Sequence, residues 1–374
     1  MTFSDLKLSA PILNALEKTG YTQPTPIQEQ SIPPMLLGKD IFGCAQTGTG
    51  KTAAFALPIL QLMSAKQEPY KGVRTLILAP TRELVIQISE NIETYSQELN
   101  IKLQTIYGGV SQFRQTEGMK KKPDIIVATP GRLLDLMNQG YIKLNNIQFF
   151  VLDEADRMLD MGFINDIKKI IPKLPQKRQT AFFSATVSES IMKLANTLLH
   201  NPAKVAVAPV SSAAETVQQK VYYVIKEYKR ALLEHLLKEE NIDHALVFTR
   251  TKRGADRVAK ELNRNGVKTE AIHGDKSQNA RERALKGFKD RSIRILVATD
   301  IAARGIDVDK LTHVINFEIP EQAETYVHRI GRTGRAGESG IALSFCTNEE
   351  KPYLEDINKL IKKKIEVVKV HPFI

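Results

Sequence analysis

The chain has no tryptophan, only two cysteines, and aromatic residues at just 6% of its 374 positions. So few rings leave no evident row of base-stacking platforms, the usual device for gripping a single strand by its bases. Cys44 and Cys346 stand far apart with no metal-ligand spacing. That excludes a disulfide framework and suits a reducing cytoplasm. Long apolar runs are also missing: the strongest, Ala53 to Met63, is interrupted by Pro58 and too short to span a bilayer. Ser4, Asp5 and Lys7 make Met1 to Ala10 a poor secretory signal. These absences predict a soluble cytoplasmic protein with no membrane attachment.

What is present is charge of one sign. A formal net charge of +11 and a pI near 9.4 favour a polyanionic partner, nucleic acid first. The triple-lysine runs Lys120–Lys122 and Lys362–Lys364 read as solvated faces. The length is too great for one ordinary core, and 42% hydrophobic with 25% charged residues describes a globular chain of two domains.

Short apolar runs end in a turn and give way to helical patterns at Thr75–Ala79, Ile125–Ala128, Phe149–Leu152, Ala245–Phe248 and Ile293–Ala298. Such alternation indicates βα units around a mainly parallel sheet. The order also repeats. Thr81-Arg82 is echoed by Thr249-Arg250, 168 residues on; Gly108 by Gly274, 166 on; Thr129 by Thr299, 170 on. Three matches in one order at a nearly constant offset imply two similar α/β domains. The non-periodic, small-residue stretch between Val205 and Thr216 separates them. The expected division is a domain at 1–206, a linker at 207–217 and a second domain at 218–374.

In the first half, Ala45-Gln46-Thr47-Gly48-Thr49-Gly50-Lys51-Thr52 leads into a helical pattern. Glycines let the backbone curl so that its N–H groups point at phosphate oxygens, and the helix start adds positive potential. Lys51 can reach the β- and γ-phosphates of ATP, and the Thr52 hydroxyl can ligate Mg²⁺. A strict P-loop carries Gly where Ala45 stands. The apolar Phe149–Leu152 then delivers Asp153 and Glu154. A carboxylate at the end of a buried strand suits a metal-orienting Asp153, with Glu154 as the base that positions and deprotonates water.

Asp153-Glu154-Ala155-Asp156 is the tetrad that names the DEAD-box helicases, and the surrounding motifs resemble that family over essentially the whole chain. The family's phosphate loop itself begins with Ala, so Ala45 ceases to be a departure. Gly20 to Gln28, with Phe3 upstream, resembles the adenine-reading Q motif. The resemblance implies that Phe3 stacks on the base beside Tyr21, while the Gln28 amide complements adenine N6 and N7. It also implies that Pro80, Thr81, Arg82, Gly108, Gly109, Thr129, Pro130 and Arg132 touch RNA in the first domain. The second-domain counterparts are Arg250, Gly274, Gln278, Arg281 and Thr299. These hydroxyls, arginines and bare backbone positions suit phosphate and sugar contacts, which hold a strand without reading its sequence. Ser184-Ala185-Thr186 resembles the coupling motif, its hydroxyls implied to bond the Asp153–Asp156 carboxylates. Gly305 and Asp307 fall in motif V, with Asp307 near the ribose; His328, Arg332 and Arg335 fall in motif VI.

Two residues three apart share a face if helical, so Arg332 and Arg335 could aim at one phosphate; the resemblance implies that they form the arginine finger pointed at the γ-phosphate. His273 reads equally as a satisfied loop histidine or an RNA contact. The second half has no Gly-Lys-Thr of its own, so one ATP shared by both halves is expected. Overall the resemblance implies two tandem RecA-like domains forming an RNA-dependent ATPase, with ATP and Mg²⁺ as cofactors. Such an enzyme unwinds short duplexes locally, and ribosome-assembly or RNA-decay proteins are candidate partners. An ATP-dependent RNA clamp or annealer, and a DNA-directed translocase, remain alternatives. The opening Phe3-Ser-Asp-Leu and the short domains look most like the bacterial RhlE-type branch.

Overall fold

Fourteen short strands organise the described residues, and the central ones are buried along almost their whole length. In a computed structural model, residues 1–46, 48–65, 72–207, 217–239, 242–303, 311–334 and 340–373 are described. The first seven strands are β1 (Ile41–Cys44), β2 (Thr75–Leu78), β3 (Leu103–Ile106), β4 (Ile125–Ala128), β5 (Phe149–Leu152), β6 (Gln179–Ser184) and β7 (Ala203–Ala206). They form one sheet in the order β3-β4-β2-β5-β6-β1-β7, every pairing parallel. Phe149 and Val151 enter one apolar layer, Phe150 and Leu152 the other. A sheet apolar on both faces must be covered by helices on both. The helix Lys51–Ser64 is one such cover, and it continues through Pro58 as a single buried element.

The remaining strands are β8 (Val217–Tyr223), β9 (Ala245–Thr249), β10 (Thr269–Ile272), β11 (Ile295–Thr299), β12 (His313–Asn316), β13 (Gly340–Cys346) and β14 (Glu366–Val367). Their order is β10-β11-β9-β12-β13-β8-β14, again with parallel pairings. Strand for strand this repeats the first sheet. The echoed Thr81, Gly108 and Thr129 follow β2, β3 and β4; their counterparts Thr249, Gly274 and Thr299 end or follow β9, β10 and β11. The repeat in the sequence is a repeat of equivalent strand ends. Two tandem RecA-like domains are therefore the fold.

Two compact units result, Met1–Pro209 and Val210–Ile374, each with its own apolar layers. The expected linker at 207–217 falls almost wholly on residues outside those described; Val217 is already the first residue of β8. No described helix is long and apolar enough to cross a membrane.

Candidate nucleotide and nucleic-acid sites

In an open parallel sheet, ligands gather outside the carboxyl ends of the strands. The candidate residues of the first unit lie there in two groups. The phosphate loop follows β1, Asp153 follows β5 and the Ser184–Thr186 segment ends β6, at the centre of the sheet. Thr81, Gly108–Gly109 and Thr129 follow β2, β3 and β4, which are neighbours toward one edge.

The loop after β1 wraps around its own lysine. Lys51 is buried, and its Nζ donates to the Ala45 carbonyl at 2.9 Å. Ala45 N–H extends the sheet by donating to the Ser184 carbonyl at 3.0 Å, and the Thr49 hydroxyl donates to Gln46 at 2.7 Å. Gly48 and Gly50 have φ of 83° and 92°, the left-handed region that glycine enters without strain. At Gly50 there is a second reason: a Cβ would collide with the Gln28 amide and crowd Thr25.

Gln28 is only 1% exposed and committed at both ends of its amide. Its Nε2 donates to the Gly50 carbonyl at 3.1 Å, and its Oε1 accepts from Thr25 N–H at 2.9 Å, closing a capping box at the start of helix Pro26–Leu36. One lone pair and one N–H remain for a base. Phe3 departs from its expected role. It is 4% exposed, built into the core with its ring edge-on to Tyr21 at 6.2 Å, so it offers no free face. Tyr21 is the more exposed ring, held by its hydroxyl to Tyr95 at 3.2 Å.

Asp153 stands 2% exposed at the end of β5, tied by its N–H to the Leu78 carbonyl at 2.9 Å. Its Oδ1 has no hydrogen-bond partner among the described residues. Burial pushes its carboxyl up to about 6, with the Lys51 charge opposing and the Glu154 charge adding. Glu154 adopts φ 56°, a conformation that costs a residue with a Cβ about 1–3 kcal/mol and clusters at functional sites. Its carboxylate pairs with Arg157 one helical turn on. Sequence reasoning missed Arg157, although its three-residue spacing from Glu154 was the available signal.

Asp156 links two strand ends. Its Oδ2 accepts from Ala185 N–H (3.0 Å), Thr186 N–H (2.9 Å) and the Thr186 hydroxyl (3.2 Å). The implied role of Ser184 needs correction: its hydroxyl donates to the Thr186 carbonyl at 2.8 Å, so it shapes the loop and leaves the carboxylates to Thr186.

Toward the sheet edge, Thr81 caps helix Arg82–Tyr95 by accepting from Leu84 N–H at 3.3 Å, with Pro80 just before it. Gly109 (φ 77°) lies under the Arg82 guanidinium, where any Cβ would collide. Thr129 and Pro130 open helix Pro130–Asn138, and Arg132 donates to the Val110 carbonyl at 3.4 Å. Arg82, Gly108–Gly109 and Arg132 thus converge on one loop cluster.

The second unit is less free than expected. Arg250 is bound into an acidic cluster: its N–H donates to Glu318 at 2.7 Å, and its guanidinium pairs with Glu350 and, at 3.6 Å, with Glu321. The same Glu350 holds buried Lys229 at 2.6 Å. A guanidinium so committed is a weaker candidate for RNA phosphate than the sequence suggested. Gln278 is buried and donates to Glu282 at 3.0 Å; Arg281 is buried as well. Gly274 and Thr299 remain at the strand ends, Gly274 beside Lys252. His273 is buried with Nε2 3.1 Å from Asp256, yet neither ring nitrogen completes a hydrogen bond among the described residues, which leaves both of its readings open.

His328 lies on helix Ala323–Ile330, but that helix ends before Arg332. Gly331 and Gly334 (φ 67°) interrupt it, so Arg332 does not continue a helical face. Arg329, which the sequence reading passed over, anchors this region: it grips Asp300 with two bonds (2.6 and 2.8 Å) and donates to Asn316 (3.1 Å) and the Glu318 carbonyl (2.7 Å). Thr47, Gly305, Asp307 and Arg335 lie outside the described residues. Among the described residues no three His, Cys, Asp or Glu side chains form a metal-binding group.

Residues 25–194 match the family described as DEAD/DEAH box helicase, and residues 228–337 the helicase conserved C-terminal domain. The DEAD-box ATP-dependent RNA helicase CshA of Bacillus subtilis is 44% identical, over 99% of this chain and 74% of the relative. CshA of Geobacillus kaustophilus is 45% identical, over 98% of this chain and 78% of the relative. Among solved structures, S. cerevisiae Dbp5 bound to RNA and ADP BeF3 is 30% identical, with a TM-score of 0.86 over 99% of this chain and 95% of that one. Relatives named CshA give no support to the narrower RhlE-type expectation.

Proposed function

From membership of the DEAD-box ATP-dependent RNA helicases, the family of RNA-dependent ATPases to which this chain belongs, we propose that it binds single-stranded RNA and separates short duplexes locally, hydrolysis resetting its grip. The supporting observation is Asp156: one carboxylate in the nucleotide half of the first sheet holds the Ala185–Thr186 backbone and the Thr186 hydroxyl, so a change at the DEAD segment is felt at β6.

In this proposal ATP takes the place of the Ala45 carbonyl as partner of Lys51. Glu154 accepts the proton of the water that attacks the γ-phosphorus, and the β–γ bridging oxygen leaves with ADP. A divalent cation fits the residues present. Asp153 offers a buried carboxylate oxygen without a partner, Thr52 a hydroxyl in the first helical turn, and a lone carboxylate plus phosphates is what Mg²⁺ accepts. When bound, Mg²⁺ would neutralise phosphate charge; Asp153 and Thr52 would hold it. Arg332 and Arg335, from the second unit, supply positive charge to the γ-phosphate, with Gly305, Asp307 and His328 completing the site.

Arg82, Gly108–Gly109, Thr129 and Arg132 contact the RNA backbone, joined by Gly274 and Thr299. We divide the chain at 1–206 and 218–374 for these purposes. Two isolated cysteines fit a cytoplasmic setting among ribosome-assembly or RNA-decay proteins. ATPase rate with and without RNA, followed by strand displacement on blunt and tailed duplexes, tests the reading. RNA stimulation with displacement is expected; stimulation by DNA as strong as by RNA contradicts it.

A further inference from the structure

The helix Gln112–Lys120 leaves the Gly108–Gly109 loop and puts a large ring into water: Phe113 is 70% exposed. Single exposed rings are ordinary, but this one has company. Gln112 and Gln139 hydrogen-bond at 2.6 Å, which brings the start of this helix to the turn that carries Tyr141, itself 50% exposed. Helical spacing puts Phe113, Glu117 and Lys120 on one face, with exposed Arg114, Lys121 and Lys122 beside it. The acid in this face is spent: Glu117 pairs with Lys120 at 2.6 Å.

We propose that this face, two exposed rings among basic side chains, is an additional RNA surface that takes the unpaired flank of a strand held by the Arg82–Gly109–Arg132 loops. It rests on the RNA reading above and adds a base-stacking contact to a grip otherwise made of backbone contacts. Continuity with those loops is short and stiff. Val110, whose carbonyl receives Arg132, is two residues before the helix, and Gln115 clamps the Tyr107 backbone from both sides (3.2 and 2.9 Å). Phe113 is thereby fixed relative to Gly108–Gly109. Charge complementarity favours a polyphosphate, and a ring stacks on any base whose face is free, so an unpaired strand fits and sequence is not read. The Lys120–Lys122 run, a solvated face by sequence alone, gains a role from these neighbours.

The absence of tryptophan makes the test direct, because Phe113→Trp introduces the sole indole reporter. Two RNAs are compared: the shortest oligouridylate that saturates ATPase stimulation, and the same oligonucleotide extended at both ends. The extended RNA should quench the Phe113→Trp fluorescence and the short one should not. Phe113→Ala should bind the extended RNA roughly tenfold more weakly, within the range for one lost base stack, while keeping its affinity for the short RNA. Replacing Lys121 and Lys122 by Gln should reduce the salt dependence of binding to the extended RNA. Unquenched fluorescence with unchanged Phe113→Ala affinity overturns the proposal and leaves the rings to a protein partner or to none. Absence of wild-type ATPase stimulation by oligouridylate of any length overturns the underlying RNA reading as well, so the two failures are distinguishable.

Discussion

Gly50 and Gln28 illustrate how tightly the nucleotide loop is specified at the scale of single residues. The glycine carbonyl is one end of the Gln28 amide bridge, and its missing Cβ makes the room that amide occupies. Gln28→Ala therefore removes two things: an adenine complement, and a brace on the loop that any nucleotide needs. ATP affinity should fall by about 1–3 kcal/mol for a lost bidentate contact, and GTP affinity by less, through the brace alone. Titration with both nucleotides checks this, and equal losses would assign Gln28 to the loop only. Glu154→Gln should keep ATP and RNA bound but abolish turnover, which a filter-binding and ATPase pair measures; wild-type turnover would contradict the assignment.

Asp153 carries a stability consequence. Its carboxyl is raised by burial, so the nucleotide-free fold favours the proton, and the chain loses stability as pH climbs from about 4 through about 6. At pH 8 the cost is fully present, at most about 3 kcal/mol for a shift of this size. Asp153→Asn should therefore raise the melting temperature of the nucleotide-free chain at pH 8, yet lose the stabilisation by Mg²⁺-ATP. Lys51, Asp153 and Glu154 were legible because strand-end position and local spacing define them. The burial of Phe3 and the acids around Arg250 were not, since those partners come from distant segments: Tyr21 for the one, Glu318 and Glu350 for the other.

At the scale of elements, two strand ends are tied together by one carboxylate. Asp156 Oδ2 receives three donors from the end of β6, of which the Thr186 hydroxyl is the one side-chain bond. Thr186→Val keeps the shape and removes that bond. A hydrogen bond to a charged group contributes about 1.5–3 kcal/mol, and here its loss should appear mainly as weaker RNA stimulation, with ATPase measured without RNA nearly unchanged. An equal fall in both rates would mean that Thr186 serves the fold and not the coupling. Element order was read well: the echoed strand ends occupy equivalent places in the two sheets, because short continuous apolar runs and the turns that end them are local features. The end of helix Ala323–Ile330 was not, as the Arg332–Arg335 spacing looks helical unless the glycines at 331 and 334 are weighed.

For the whole molecule, the chemistry is divided. Lys51, Thr52, Asp153 and Glu154 belong to the first unit; Arg332 and Arg335 belong to the second in sequence, as do Gly274 and Thr299 among the RNA candidates. If both units must engage the same ATP and the same strand, RNA and ATP tighten each other by an equal factor. The first unit has its own two apolar layers, so residues 1–206 should fold alone and retain weak ATP binding. The most direct measurement is steady-state ATPase rate against RNA concentration for the full chain, for Arg335→Ala and for residues 1–206. Strong stimulation is expected only in the full chain. Arg335→Ala should lose on the order of 10³-fold in turnover, the lower end for an arginine finger, while keeping much of its RNA affinity. Strong RNA stimulation in residues 1–206 alone would contradict the two-unit mechanism and leave a P-loop ATPase that needs no second half.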